Sequence, residues 1–177
     1  MSVNTEKTAP RWRRWLLEAA LVVLALGVFQ LWQLRDAARG PAPAIAGQQI
    51  DGTNFSLADW RAAHPGEAML VYFWADWCPI CKTTSGSVDS IAADRPILSV
   101  AVQSGDSAAV AAWLRQKGHA WPTLNDPQGA LLRDFGFPGL PAFAVIDPAG
   151  DIRFVSVGYT SEIGLRLRLW WAGRNAG

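Results

Sequence analysis

The chain reads as an α/β domain, a mixed central β-sheet flanked by helices, preceded by one N-terminal transmembrane helix. Three observations lead there. Short apolar runs rich in β-branched and aromatic residues recur at 69–74, 97–102 and 142–146, with helical patterns between the first two. The order is strand, helix, strand, helix, then a hairpin and a final helix, which suits a mixed sheet covered on both sides. Ahead of all this stands a run, LLEAALVVLALGVFQLWQL, that belongs to no such pattern.

That run, Leu16 to Leu34, holds nineteen residues. At about 1.5 Å per residue it spans roughly 28 Å, close to the ~30 Å hydrocarbon core of a bilayer. Glu18, Gln30 and Gln33 lie near its ends, and so do Trp12, Trp15 and Trp32, as interfacial tryptophans do. Arg11, Arg13 and Arg14 precede it and predict a cytoplasmic N-terminus with the domain outside; Arg35 and Arg39 weaken the asymmetry without reversing it. A cleaved secretory signal is the rival, with Ala42-Pro-Ala44 as a superficial cleavage site. The run is longer than a usual signal core and prolines crowd the site, so an uncleaved anchor is preferred. The expected organisation is a cytoplasmic tail (1–14), a signal-anchor helix (15–35), a linker (36–43) whose RGPAP is short and stiff, and a periplasmic domain (44–177).

Within the domain, Asp51-Gly52 is a hairpin-turn signal, and Ser56 is placed to cap a short helix over 57–63. His64-Pro65-Gly66 ends it, with His64 read as a loop residue. Met69 to Trp74 is a buried strand. The helix after Cys81 runs to about Asp94, with a bend plausible at Ser85-Gly86-Ser87. Ile97 to Val102 is a second buried strand. Asp106 to Lys117 fits a helix with Ala109, Val110, Trp113 and Leu114 on one face, stopped by Gly118. Pro122 to Leu124 is extended, and Gln128 to Phe135 is a brief helix ending at Gly136. Ala142 to Ile146 and Ile152 to Val157 form a hairpin about Asp147-Pro-Ala-Gly150. Glu162 to Trp171 closes the chain as an amphipathic helix whose Arg166 and Arg168, with Arg174, form a solvated face.

The chemistry is concentrated in W-C-P-I-C, Trp77 to Cys81. Pro79 directly after a cysteine suits the first turn of a helix, which puts Cys78 at or next to the N-cap and Cys81 on the first turn. Free N–H groups and the positive end of the helix dipole there favour a thiolate, the nucleophile of thiol–disulfide exchange. A structural zinc would need about four ligands; the chain has two cysteines and two histidines, His64 and His119, without finger-like spacing. A structural staple closing so small a loop would constrain the unfolded chain little. Charge excludes another class. Residues 1–39 carry six basic and three acidic groups, leaving ten basic and twelve acidic, no electrostatic match for nucleic acid.

These residues resemble the thioredoxin fold, in the membrane-tethered, exported group that includes the thioredoxin-like cytochrome c maturation proteins. Three passages carry the likeness: FWADWCPICK at 73–82, FGFPGLPAF at 135–143, similar to the loop before that family's cis-proline, and VIDPAGDI at 145–152. It covers about residues 42–173. The resemblance implies that Cys78 attacks, that Cys81 resolves, and that Pro141 is the cis-proline, exposing the backbone of Leu140 to pair with an extended substrate. It departs at two positions. Tyr72 stands where thioredoxin has a buried aspartate, and Thr84 where the maturation reductases often have a glutamate. Neither takes a proton at neutral pH as a carboxylate can. The Cys-Pro-x-Cys pair and the anchor are more similar to the tethered copper-sensitivity-suppressor group.

The function implied is thiol–disulfide exchange on exported proteins, more as a reductase, with Trp77, Pro79 and Ile80 on the rim of the substrate site. Asp76 and Lys82 flank the thiols and could tune them by charge. No organic cofactor is needed and no metal ligand is assigned; a membrane electron carrier is expected to recycle the dithiol. The alternative is a Cu(I)-binding, copper-delivery module using the same two thiolates. A peroxidase is a weaker reading, because the Thr-x-x-Cys setting is missing.

Overall fold

The computed structural model describes residues 11–33 and 37–174 and divides into two compact units, Met1–Arg35 and Asp36–Gly177. In the first unit, helix α1 covers Arg11–Gln33. Among the described residues no helix is long and apolar enough to cross a membrane. Residues 1–10 of the expected tail, and Leu34 and Arg35 of the expected span, lie outside the described residues.

The second unit contains strands β1 (Gly40–Pro41), β2 (Ala46–Gln48), β3 (Asn54–Ser56), helix α2 (Leu57–Ala63), β4 (Met69–Trp74), α3 (Pro79–Ala92), β5 (Ile97–Val102), α4 (Ser107–Lys117), β6 (Thr123–Asp126), α5 (Ala130–Asp134), β7 (Ala142–Ile146), β8 (Asp151–Val157) and α6 (Glu162–Arg174). Six strands form one mixed sheet in the order β1-β8-β7-β4-β5-β6. β4 pairs in parallel with β5, and β5 with β6, while β7 runs antiparallel to both β4 and β8. All six residues of β4 and of β5, and all five of β7, are buried, which is why they read as unbroken apolar runs rather than alternating ones.

The signals at the ends of elements act locally. Asp51 Oδ1 accepts from Thr53 N at 2.9 Å within the β2–β3 turn. Ser56 Oγ accepts from Asp59 N, and Asp106 Oδ1 from Ala109 N at 2.8 Å, each capping a helix. Gly118 ends α4 in the left-handed conformation, φ 75°, where glycine has no Cβ to strain. α3 runs unbroken through Ser85-Gly86-Ser87.

Two features differ from the sequence reading. The segment read as a linker is partly built into this unit. Ala37 is buried, Ala38 N donates to Phe135 O at 3.0 Å, and Gly40 and Pro41 register with Ile152 and Asp151. The last helix is not amphipathic. Leu165, Leu169 and Ala172 face the core, but the opposite side carries Ile163, Leu167 and Trp170, all exposed. Alternating three- and four-residue spacing accounts for both stripes, so apolar residues lie on two faces and Arg166 and Arg168 sit between.

Alternation along β4 sorts the core. Leu70, Tyr72 and Trp74 join the cluster that includes both cysteines, Val88 and Ile91 of α3, Val110 and Leu114 of α4, and Leu165 and Leu169 of α6. On the other face Phe73 packs against Phe135 and Phe137, with ring centroids 5.1 and 5.3 Å away. Polar groups buried beside β4 are linked in a chain: Trp74 Nε1 donates to Ser99 Oγ at 3.2 Å, which lies 2.7 Å from Thr123 Oγ1.

Candidate active site

β4, a central strand, delivers the chain to one end of the sheet, and residues 75–78 turn it into α3. Cys78 is the N-cap of that helix, in extended backbone conformation (φ −84°, ψ 112°), and Pro79 occupies its first turn. Cys78 Sγ accepts from Cys81 N at 3.1 Å, doing with sulfur what a capping hydroxyl does with oxygen. The two cysteines form a disulfide across a Cα–Cα distance of 5.3 Å. Both are buried, whereas Trp77, Pro79 and Ile80 around them are exposed. Charge developing on Cys78 Sγ would therefore meet a helix N-terminus and at least one backbone N–H.

The Leu140–Pro141 peptide bond is cis. Pro141 precedes Ala142, whose register partner is Phe73, so the proline lies at the end of β4 from which the cysteine loop departs. Its carbonyl accepts from Gly158 N at 2.8 Å, and half-buried Leu140 packs against the core cluster that holds both cysteines.

Tyr72 and Thr84, the two positions of departure, meet beneath Cys81. Their hydroxyl oxygens are 3.4 Å apart. Cys81 O is approached by three hydroxyl donors, Thr84 and Ser85 at 3.0 Å and Tyr72 at 3.3 Å. Burial pushes the Tyr72 phenol up to about 12, so it is a neutral donor throughout the physiological range. Its ring stacks on Phe143 at 5.0 Å and meets Trp121 edge-on at 5.6 Å.

Sequence reading missed the loop that braces the site. Trp77 Nε1 donates to Gln103 O at 3.0 Å, and Asp76 N donates to Ser104 Oγ at 3.1 Å. Gln103 has φ 49°, a left-handed conformation unusual for a side chain of its size. Nothing local in Gln103-Ser-Gly105 signals this; the contact exists because β5 lies beside β4 and delivers its own C-terminal loop next to the cysteine loop. Asp76 Oδ1 is buried with no hydrogen-bond partner among the described residues, while Lys82 is exposed. The two histidines are elsewhere engaged. His64 Nδ1 lies 2.8 Å from Trp60 O, and His119 Nδ1 2.9 Å from Asp89 Oδ1, with its ring stacked on Trp121. Among the described residues no three His, Cys, Asp or Glu side chains converge as a metal site would require.

A Cys-x-x-Cys disulfide at a helix N-terminus on a mixed sheet, with the Pro141 loop at the same sheet end, defines a thioredoxin-like thiol:disulfide oxidoreductase. The AhpC/TSA family profile matches residues 38–155, well over half of the sequence, and the chain belongs to that family. It is similar to a thioredoxin-like protein of Haemophilus influenzae, 32% identical over 126 residues that cover 71% of this chain and 73% of that protein. Similarity to the thiol:disulfide interchange protein DsbE of Escherichia coli is 27% over 173 residues, covering 89% and 90% of the two chains. Among solved structures, a thiol:disulfide interchange protein of the thioredoxin family from Chlorobium tepidum superposes with a TM-score of 0.63 at 27% identity, over 78% of this chain and 99% of that one.

Proposed function

We propose that the protein is a membrane-tethered reductase of disulfides in exported proteins. The observation that carries the reading is the Cys78–Cys81 pair capping α3. In the cycle, Cys78 thiolate attacks one sulfur of a substrate disulfide, forms a mixed disulfide and expels the other sulfur as a thiolate. Cys81 loses its proton and attacks Cys78 Sγ. The internal disulfide closes, the second substrate sulfur leaves, and two electrons have passed to the substrate. Trp77, Pro79 and Ile80 form the rim against which a substrate chain lies, and Leu140 and Pro141 hold its backbone. The names of the interchange relatives support this substrate class. Recycling takes two electrons from another dithiol, for which a membrane carrier is the natural source.

The tether is read from the sequence. Leu16 to Leu34 contains one charged residue, Glu18, and continues past the described end of α1 at Gln33. Leu16, Leu17 and Leu21 to Leu24 are exposed apolar residues on that helix. Arginines before the run orient the domain to the periplasm. The expected result is a chain that resists alkaline carbonate extraction, with its domain open to protease only from the periplasmic side.

The cycle is tested by trapping. Cys81→Ser is expected to accumulate disulfide-linked adducts through Cys78 in cells, and Cys78→Ser none; absence of adducts from both, with a double variant that behaves as wild type, overturns the redox reading. Direction is read from the reduction potential. A reductase is expected at or below about −200 mV, and a value near that of a strong oxidant, about −120 mV, would reverse the assignment. Stoichiometric copper retained through dialysis under reducing conditions would instead favour copper delivery.

A further inference from the structure

We propose that the outer face of α6 is a docking surface for the interface of an anionic lipid bilayer. Ile163, Leu167, Trp170 and Arg174 follow at spacings of four, three and four, and so share the side opposite Leu165, Leu169 and Ala172. Ile163 is 73% exposed, Leu167 60% and Trp170 51%, and Tyr159, also exposed, stands just before the helix. Core packing explains the inner stripe and leaves the outer one without a role.

Charge around the stripe is one-sided. Arg166 is neutralised by Asp94 and Glu162, and Glu162 also accepts from Ser90 Oγ. On the other flank Arg168 donates only to Ser156 Oγ, and Arg174 lies 4.8 Å over the Trp170 ring. Among the described residues no carboxylate forms an ion pair with either of these two arginines; Glu67 and Arg95 line the same pocket as Trp170 and Arg174, so positive charge exceeds negative at this end of the outer face, beside aromatic and aliphatic side chains. That combination matches a lipid interface, where indole and phenol rings settle at headgroup depth and guanidinium groups meet phosphates. A second copy pairing through the same face is the competing occupant, and the test below separates it from the bilayer. A single helix ridge is convex. A fluid interface accepts it without a complementary groove.

The consequence is a domain held in a preferred orientation against its membrane, and this surface is separate from the redox site. The test uses the full chain with its disulfide closed, carrying an apolar bimane label at Leu167→Cys or, as control, at exposed Gln116→Cys on α4. It is reconstituted in phosphatidylcholine vesicles with about 30% phosphatidylglycerol or none, doped with nitroxide lipids. Quenching at 167 is expected to exceed that at 116 by about twofold or more in anionic vesicles. The difference should fall when anionic lipid is omitted, and should vanish with Arg168→Glu/Arg174→Glu or Ile163→Ser/Trp170→Ser. Equal quenching at both positions overturns the proposal, and so does a difference indifferent to lipid charge. A shift of the 167 label with protein concentration in lipid-free detergent would assign the face to a second copy. Carbonate extraction reports α1 independently, so failure of the anchor and failure of the α6 surface are distinguishable.

Discussion

Beneath Cys81 stand the hydroxyls of Tyr72 and Thr84, the two positions where the resemblance drawn from the sequence leads one to expect carboxylates. Tyr72 and Thr84 crowd the Cys81 carbonyl and fix the first turn of α3, but neither can receive the Cys81 proton near neutrality. Tyr72→Phe is therefore expected to leave the pH midpoint of Cys78 alkylation unchanged in the reduced protein. A shifted midpoint would identify the phenol as part of the proton path. Removing the hydroxyl is expected to cost no more than about 1.5 kcal/mol, read from urea unfolding, because the ring stacking is retained. The pH dependence has a definite sign. The folded state keeps the Tyr72 proton until about 12, whereas an unfolded tyrosine releases it near its ordinary value of 10.0. Stability therefore falls as pH climbs through that interval. Tyr72→Phe should lack this part of the alkaline loss.

At the scale of elements, helix ends are set by single residues and helix faces by what lies across from them. Asp106→Ala removes the cap of α4 and is expected to lower stability by about 1 kcal/mol in urea unfolding. α6 is held to α3 by two kinds of contact. Leu169 is buried in the core cluster, and Leu169→Ala is expected to cost about 2–5 kcal/mol. Arg166 bridges Asp94 and the Ser90 carbonyl on the α3 side to Glu162 on its own helix. Hydrogen bonds from Ser90 and then from Arg166 hold the Glu162 carboxyl below the usual carboxylate range. Its contribution is thus complete above the unfolded glutamate value of about 4.3 and is lost as pH falls through the lower folded value. The Tm difference between wild type and Glu162→Gln should be full at neutrality and shrink progressively as pH falls below the range of an unfolded glutamate. A difference that persists unchanged into acid would assign the substitution's effect to something other than this carboxylate.

For the whole molecule, the sheet order explains why the redox loop sits where it does. β4 is central, flanked by β5 and β7, so the loops leaving β5 and entering β7 converge on the end from which residues 75–78 depart. One supplies Gln103 and Ser104, the other Leu140 and Pro141. The cysteine loop is thereby braced on one side by hydrogen bonds, through Trp77 and Asp76. Trp77→Phe keeps an aromatic side chain and loses the donor to Gln103 O. It is expected to raise hydrogen exchange in the 103–105 loop while leaving β4 and β5 protected.

Strands, helix caps and the Cys-x-x-Cys turn were legible in the residues because each depends on neighbours in sequence: an apolar run, a capping oxygen three residues from its N–H, a proline after a cysteine. The disulfide-bearing helix start follows from such local rules. Three other features came from distance. Gln103 reaches Trp77 only because parallel strands align their C-terminal ends, Tyr72 finds Thr84 only once α3 lies on β4, and residues 40–41 become a strand only because β8 offers an unpaired edge. The outer face of α6 makes the same point. Its sequence holds two apolar stripes, and periodicity alone assigns neither to the core. Packing against α3 and β7 chose Leu165, Leu169 and Ala172, and by that choice left Ile163, Leu167 and Trp170 facing outward.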